Sequence, residues 1–132
     1  KMIVSNGDII SKINFKNLIN FHDENKSFAT MAIRKKLNNE TFGVVETKGK
    51  KFINVKEKPL ITYNINSGIY ILSTKVIKLV KKNKKIEMTD LFNLMRTLKK
   101  RVYVFPVYEN WIDLATTDDL SEANKFFKKY NY

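Results

Sequence analysis

The sequence predicts an α/β domain: a mixed, mainly parallel β-sheet flanked by helices, with one local β-hairpin. Three observations support this fold class. Residues 28–33 are apolar at nearly every position, which is typical of a strand in a sheet covered on both faces. After Asn14, a favourable N-cap, apolar residues recur at helical spacing. Residues 47–50 place Gly49 between two strand-like segments, which is a hairpin pattern.

The remaining elements alternate along the chain. The predicted strands cover residues 2–6, 28–33, 42–46, 51–55, 66–72 and 101–107. The predicted helices begin after the caps Asn14, Ser73 or Thr74, Thr89-Asp90, and Thr117. The buried stripe of the last helix would consist of Leu120, Ala123, Phe127 and Tyr130. Because no repeat or linker interrupts this order, the sequence indicates one domain over residues 1–132.

Composition is that of an ordinary globular protein. Of the 132 residues, 43% are apolar and 29% are charged. The chain has no cysteine, which excludes disulfides and thiolate metal sites. The single histidine, His22, has no partner with which to share a metal and is expected at a surface or boundary helix position. No apolar run approaches the ~20 residues that span a bilayer, so we expect no membrane partner.

A net charge of +12 raises the alternative of a basic nucleic-acid-binding module. The distribution of the charge argues against that function. Nearly all the basic residues are Lys, and Arg occurs only at positions 34, 96 and 101. The longest basic cluster, residues 81–85, contains neither an aromatic residue nor an arginine that could contact a base edge. We therefore expect a solvated basic surface that attracts anions weakly, and no nucleic-acid partner.

Two aspartates follow apolar stretches near opposite ends of the chain. Asn6-Gly7-Asp8 follows the first predicted strand, and Asp113 follows Trp111-Ile112. A carboxylate at the C-terminal end of a parallel strand lies where open α/β sheets bind their ligands. Two such carboxylates can hold one Mg²⁺, which prefers oxygen ligands and keeps waters and phosphates in its other positions. Taken alone, Asn-Gly-Asp is also a common turn sequence.

Three further segments carry candidate ligand-binding residues. Glu57-Lys58-Pro59 offers an acceptor and a point charge, and the proline favours an extended backbone at Lys58. Asn66-Ser67-Gly68-Ile69-Tyr70 offers an amide on a strand in which Gly68 permits close packing. Phe42-Gly43-Val44-Val45 places a glycine where a ligand could approach the backbone. The first segment could also be a charged strand end, and the last a strand with a bulge.

In order and spacing, these segments together resemble the second half of the sugar-1-phosphate nucleotidyltransferase domain, over essentially the whole chain. The stretches 88–92 and 104–110 look most like a subgroup with upstream CBS regulatory modules. The resemblance implies the C-terminal portion of a nucleotide-diphospho-sugar transferase fold, which is Rossmann-like. It implies an enzyme that transfers NMP from an NTP to a sugar 1-phosphate, forming an NDP-sugar and pyrophosphate. It also implies a cytoplasmic location and a role in polysaccharide biosynthesis.

The resemblance further implies roles for individual residues. Asp8 and Asp113 would hold Mg²⁺ and, with Lys58, act as the catalytic residues. The residues that contact substrate would be Asn6, Gly7, Gly43, Glu57, Lys58 and Asn66. Ala115 departs from the family pattern because a glycine is usual there, which puts the local backbone in doubt.

The Gly-rich nucleotide-binding loop of the family has no match in this sequence. The glycines at 7, 43, 49 and 68 are isolated, and the family's loop would precede Asn6. We therefore expect the chain to be the acceptor half of the domain, inactive in isolation, with an exposed edge strand that favours association into a homodimer. A catalytically inactive relative with a regulatory or scaffolding role is the alternative. The presence of Asp8, Lys58 and Asp113 argues against it.

Overall fold

This computed structural model describes residues 1–114, 120, 121 and 123–125, and residues 1–114 form eight strands and three helices. The strands are β1 Met2–Ser5, β2 Ile9–Ser11, β3 Ala29–Asn39, β4 Val44–Lys48, β5 Lys51–Lys56, β6 Leu60–Leu72, β7 Val102–Pro106 and β8 Trp111–Asp113. The helices are α1 Phe15–Glu24, a 3₁₀ helix Thr74–Leu79 and α2 Met88–Thr97.

The central sheet has four strands in the order β1-β6-β3-β7 and is mixed, as predicted. β6 runs antiparallel to both of its neighbours, β1 and β3, whereas β3 and β7 are parallel. β1, β3 and β7 therefore share one direction. Since the reversed strand β6 lies between β1 and β3, two of the three ladders in this sheet are antiparallel, and the expectation of mainly parallel pairing is wrong. The predicted hairpin is confirmed as the separate two-stranded sheet β4–β5.

Both faces of the sheet are covered, which confirms the expectation from the apolar run at residues 28–33. One apolar cluster contains Ala29, Tyr70, Leu72, Val76, Leu91, Phe92 and Met95. The other contains Ile13, Leu18, Ala32, Ile69, Ile71 and Val107. Because neighbouring residues of β6 belong to different clusters, the clusters lie on opposite faces. The 3₁₀ helix and α2 cover one face, and α1 covers the other.

The helix caps agree with the sequence in two cases out of three. Asn14 caps α1 by accepting a hydrogen bond from the Asn17 amide at 3.1 Å, and Ser73 caps the 3₁₀ helix. The cap predicted at Thr89-Asp90 is wrong, because α2 begins at Met88 and its N-cap, Glu87, lies two residues before Thr89. Asp90 instead lies in the first turn, where a carboxylate favours the positive end of the helix dipole.

β3 and β6 are longer than the sequence predicts. Beyond the core, residues 34–39 of β3 pair with residues 60–65 of β6. This arm is largely exposed although residues 60–65 are mostly apolar or β-branched, and the predicted strands left both segments out. Backbone hydrogen bonds between the two strands define it.

The end of the chain is described only in part. Residues 120, 121 and 123–125 are helical, in agreement with the predicted terminal helix. Ala123 is buried as expected, but Leu120 is 53% exposed, so its place in the buried stripe is wrong. Ala115, Thr117, Phe127 and Tyr130 lie outside the described residues. No helix in the described ranges is long and apolar enough to cross a membrane.

His22 is buried, and the expected surface or boundary position is wrong. The apolar stripe of α1 carries it inward with Leu18, leaving it 4% exposed. Its Nδ1 lies 2.8 Å from the Thr30 hydroxyl of β3. Burial lowers the pKa of His22 below its ordinary value of 6.5, and the neighbouring Asp23 carboxylate partly opposes that shift. The histidine is therefore a hydrogen-bonded core residue.

The lowered pKa of His22 predicts that the chain loses stability in mild acid. Between the folded and the unfolded pKa the unfolded chain binds a proton that the folded chain does not. The contribution of the neutral, buried His22 to the free energy of unfolding is fully present above about pH 6.5 and is lost as the pH falls below that value. Urea midpoints at pH 7.5 and 5.5 measure the loss. In His22→Gln the difference between the two midpoints should shrink, and an unchanged difference would assign the pH dependence to other groups.

Candidate functional site

The short β2–β8 ladder brings the two predicted aspartates together. Ile9 pairs with Asp113 across this antiparallel ladder, and the Leu114 amide donates to the Asp8 carbonyl at 2.9 Å. Asp8 is exposed and Asp113 is half-buried. The backbones of these aspartates are therefore neighbours, although they come from opposite ends of the sequence.

β6 approaches the Asn6-Gly7-Asp8 turn closely at Gly68. The backbone N–H of Asn6 donates a hydrogen bond to the Gly68 carbonyl at 2.8 Å. Gly68 has φ +72°, and a Cβ there would lie 2.9 Å from Asn6 Nδ2 and 3.2 Å from Ile9 Cγ1. Both the left-handed backbone and the lack of space require glycine. The close packing predicted for Gly68 is confirmed, and its neighbour is Asn6.

A bulge in β6 accompanies this close approach. Met31 pairs with Tyr70 and Ile33 pairs with Asn66, so a two-residue step in β3 faces a four-residue step in β6. Bulges of this kind bend a strand and re-aim its side chains, and they occur often beside active sites. The Ser67 hydroxyl donates to the Ala32 carbonyl at 2.8 Å and closes the bulge against β3.

The Asn66 amide is held within its own strand. Asn66 Nδ2 donates to the Tyr70 hydroxyl at 2.7 Å, and Asn66 Oδ1 accepts from the Gly68 amide at 3.0 Å. The side chain is otherwise exposed, and one N–H and one lone pair remain for a ligand. No local signal in the sequence marks Tyr70 as the residue that orients Asn66.

Trp111 anchors β8 to β6. Its indole N–H donates to the Ser67 carbonyl at 2.8 Å, and the Arg34 guanidinium lies 5.8 Å from the ring centroid. Arg34 also donates to the Glu109 carbonyl at 2.8 Å. Through these contacts Trp111 anchors the strand that carries Asp113. Arg34 was missed, although a rare arginine in a lysine-rich chain signals a stacked or bidentate role.

Gly43 and Glu57 meet at the base of the hairpin. A Cβ at Gly43 would lie 3.0 Å from Glu57 Oε2 and 3.4 Å from Val55 Cγ2. Gly43 and Glu57 are both exposed. The glycine therefore makes room for a protein carboxylate at this position.

Lys58 adopts a left-handed backbone with φ +42°, so the prediction of an extended conformation is wrong. The chain turns here from β5 into β6, and the Glu40 amide holds the turn by donating to the Pro59 carbonyl at 3.2 Å. A left-handed non-glycine residue costs about 1–2 kcal/mol, and such residues cluster at functional sites.

The predicted site residues form two groups. The aspartate cluster comprises Asn6, Gly7, Asp8, Asn66 and Asp113, and the hairpin cluster comprises Gly43, Glu57 and Lys58. Along β6 the contour between Leu60 and Asn66 is about 20 Å at the rise of an extended strand. In the described part of the chain, no hydrogen bond or ion pair joins the clusters. The structure thus assembles each cluster without bringing the two into contact.

Comparison with known proteins identifies the family. The nucleotidyl transferase family model matches residues 1–130. The chain belongs to this family. The match confirms the resemblance found in the sequence and extends over both clusters.

Two curated relatives share the similarity. A D-glycero-alpha-D-manno-heptose 1-phosphate guanylyltransferase from Aneurinibacillus thermoaerophilus is 26% identical over 98% of this chain and 56% of its own length. A glucose-1-phosphate adenylyltransferase from Clostridium kluyveri is 29% identical over 93% of this chain and 35% of its own length. The chain therefore spans about half the length of such relatives, or less.

A solved structure confirms the fold. A Bacillus anthracis protein assigned as a glucose-1-phosphate thymidylyltransferase, in complex with a sucrose, superimposes with a TM-score of 0.68 at 25% identity. The match covers 95% of this chain and 53% of that chain. The mixed α/β architecture is thus that of a nucleotidyltransferase.

The packing at Gly68 predicts unequal effects of two glycine substitutions. Gly68→Ala should lower the unfolding free energy by about 2–4 kcal/mol, because it adds both backbone strain and a clash with Asn6. Gly7 has no atom within 4 Å of an added Cβ, so Gly7→Ala should change stability by less than about 0.5 kcal/mol. Urea denaturation measures both values. Equal losses would show that the Gly68 contact does not constrain the fold.

Proposed function

We propose that the protein containing this chain transfers NMP from an NTP to a sugar 1-phosphate, releasing pyrophosphate and forming an NDP-sugar. The observation that carries this proposal is that the backbones of Asp8 and Asp113 are neighbours at the end of the β2–β8 ladder, in a member of the nucleotidyl transferase family. Residues 1–132 would supply the acceptor part of the catalytic domain. Because NTPs and sugar phosphates are cytoplasmic metabolites, we place the reaction in the cytoplasm and connect it with polysaccharide biosynthesis.

The aspartate cluster suits a Mg²⁺ ion. Asp8 and Asp113 supply the carboxylate oxygens that this ion prefers, and Asp8 faces solvent. Among the described residues, no group of three or more His, Cys, Asp or Glu side chains is placed so that it could hold a metal ion. Two protein carboxylates leave positions for water and phosphate oxygens, as in sites where Mg²⁺ binds phosphorylated substrates. When bound, the metal would neutralise charge on the phosphate that undergoes transfer.

The remaining cluster residues would bind the acceptor. Asn66 presents its remaining N–H and lone pair to the sugar hydroxyls, in an orientation fixed by Tyr70. Asn6 and Gly7 form the turn at which the sugar phosphate approaches the backbone. Glu57 would accept from sugar hydroxyls, and Lys58 would place a charge beside the sugar phosphate. This role requires the hairpin cluster to reach the ligand held at the aspartate cluster.

Translation of the reading frame upstream of Lys1 is the first test of this assignment. It should encode a Gly-rich loop followed by an arginine and a lysine. A protein that contains the chain but no such loop would leave the triphosphate without a binding site and would contradict the proposed transfer. The inactive scaffolding relative would then be the better description.

Removing either carboxylate should abolish most of the activity. In the protein that contains both parts of the domain, Asp8→Asn or Asp113→Asn should lower turnover by about 10²-fold or more, as does the loss of one preorganised electrostatic group. Pyrophosphate release measures the rate. Asp90→Asn, an exposed aspartate in α2, is the matched control and should retain turnover. Near-normal turnover in both cluster variants would contradict the metal assignment.

Glu57→Gln tests the hairpin cluster separately. It should raise KM for the sugar 1-phosphate about tenfold through one lost charged hydrogen bond, and leave KM for the NTP nearly unchanged. Glu46→Gln in β4 carries the same charge change on the same hairpin and serves as the control. A parallel rise of both KM values in Glu57→Gln would mean that the residue does not act on the acceptor.

A further inference from the structure

A basic cavity lies at the end of the sheet opposite the aspartate cluster. It has a volume of about 300 Å³, and its lining includes Lys26, Ser27, Lys75, Lys99, Lys100 and Arg101. Ser27 and Arg101 lie just before β3 and β7, whereas the Asn6-Gly7-Asp8 turn follows β1, which runs in the same direction. The basic cavity is therefore separate from the proposed transfer site.

The charge of the basic cavity is of one sign. Among the described residues no acidic side chain lines it, and neither of their ion pairs, Lys1–Asp23 and Lys85–Glu87, includes one of its cationic groups. Lys100 contacts the Phe28 ring, with its Nζ 5.6 Å from the ring centroid. Asp23 lines an adjoining cavity, where it is paired with Lys1. Like charges around a concave surface concentrate anions from solution.

Ser27 provides an independent indication of a ligand. The residue is 8% exposed and lines both the basic cavity and the adjoining one. Its amide donates to the His22 carbonyl at 2.9 Å, but its buried hydroxyl has no hydrogen-bond partner in the structure. Unpaired buried hydroxyls are unfavourable and uncommon, and an acceptor bound in the cavity would pair with this one.

Helix-end electrostatics explain only part of the arrangement. Lys26 and Lys99 follow the C-terminal ends of α1 and α2, with φ of +46° and +52°. A cation at this position interacts favourably with the negative end of the helix dipole. Lys75 belongs to the 3₁₀ helix and Arg101 precedes β7, so neither is placed by that effect. These separate elements converge on the cavity that Ser27 also lines, which indicates a binding site.

We propose that the basic cavity binds a small phosphorylated anion, held by the Lys and Arg side chains and by a hydrogen bond from the Ser27 hydroxyl. Phosphate oxygens accept from hydroxyl, ammonium and guanidinium donors, and charge-assisted bonds of this kind are strong. The volume of about 300 Å³ lies at the lower end of ligand sites, which suits inorganic phosphate or a small phosphate ester.

Titration calorimetry of the 132-residue chain with inorganic phosphate at low ionic strength tests the proposal. The double variant Lys75→Gln/Arg101→Gln should raise Kd at least about tenfold, since two charged donors are lost. Lys81→Gln/Lys84→Gln removes the same charge from the exposed segment 81–85 and should leave Kd within about twofold. Equal weakening in both variants, or no binding at millimolar phosphate, would overturn the proposal.

Ser27→Ala provides a second, oppositely directed readout. Without phosphate its thermal midpoint should equal or exceed that of the parent chain, because an unpaired buried hydroxyl is removed. The rise in midpoint on adding phosphate should be smaller in the variant. An equal phosphate-induced rise in both chains would exclude Ser27 from the site. A parallel titration with glycerol phosphate distinguishes the two kinds of ligand. Tighter binding of glycerol phosphate than of phosphate indicates a phosphate ester, and weaker binding indicates the free ion.

Discussion

The backbone of β6 at Ser67 and Gly68 is the constraint on which the arrangement of the aspartate cluster depends. The Gly68 carbonyl accepts a hydrogen bond from the Asn6 backbone amide, and the Ser67 carbonyl accepts one from the Trp111 indole N–H. The same segment is tied to β3 through the Ser67 hydroxyl. A side chain at Gly68 would push away the turn that carries Asp8. A short stretch of β6 main chain, which has no Cβ at Gly68, therefore aligns the two segments that carry Asp8 and Asp113.

The two clusters differ in mechanical support. The aspartate cluster adjoins the buried part of β6, next to residues that are fully enclosed. The hairpin cluster adjoins β4 and β5, in which every residue is exposed. A two-stranded hairpin by itself is at most marginally stable in water. Glu57 and Lys58, which would bind the acceptor, therefore lie on the less supported part of the chain, while the proposed metal ligands adjoin the buried core.

The sequence predicted much of the fold because local signals and burial agreed there. The Asn14 cap, the hairpin around Gly49 and the apolar run at residues 28–33 all correspond to observed elements. The exposed arm formed by β3 and β6 was not predicted: residues 34–39 are mostly polar, and the strand-like residues 60–65 were not joined to the predicted strand at 66–72. His22 was misplaced for a related reason: its partner Thr30 is on another element, and helical periodicity alone does not identify a buried polar contact.

The aspartates were found from their positions after apolar stretches, but their proximity comes from the β2–β8 ladder, in which three residues pair with three. The left-handed Lys58 was missed because the local preference of a residue before proline was overridden by the turn into β6.

The β2–β8 ladder closes a loop that contains most of the chain, and contacts of such long sequence separation form slowly and late. A growing chain that has not yet reached β8, or a clipped chain that has lost it, would therefore leave Asp8 and Asp113 apart.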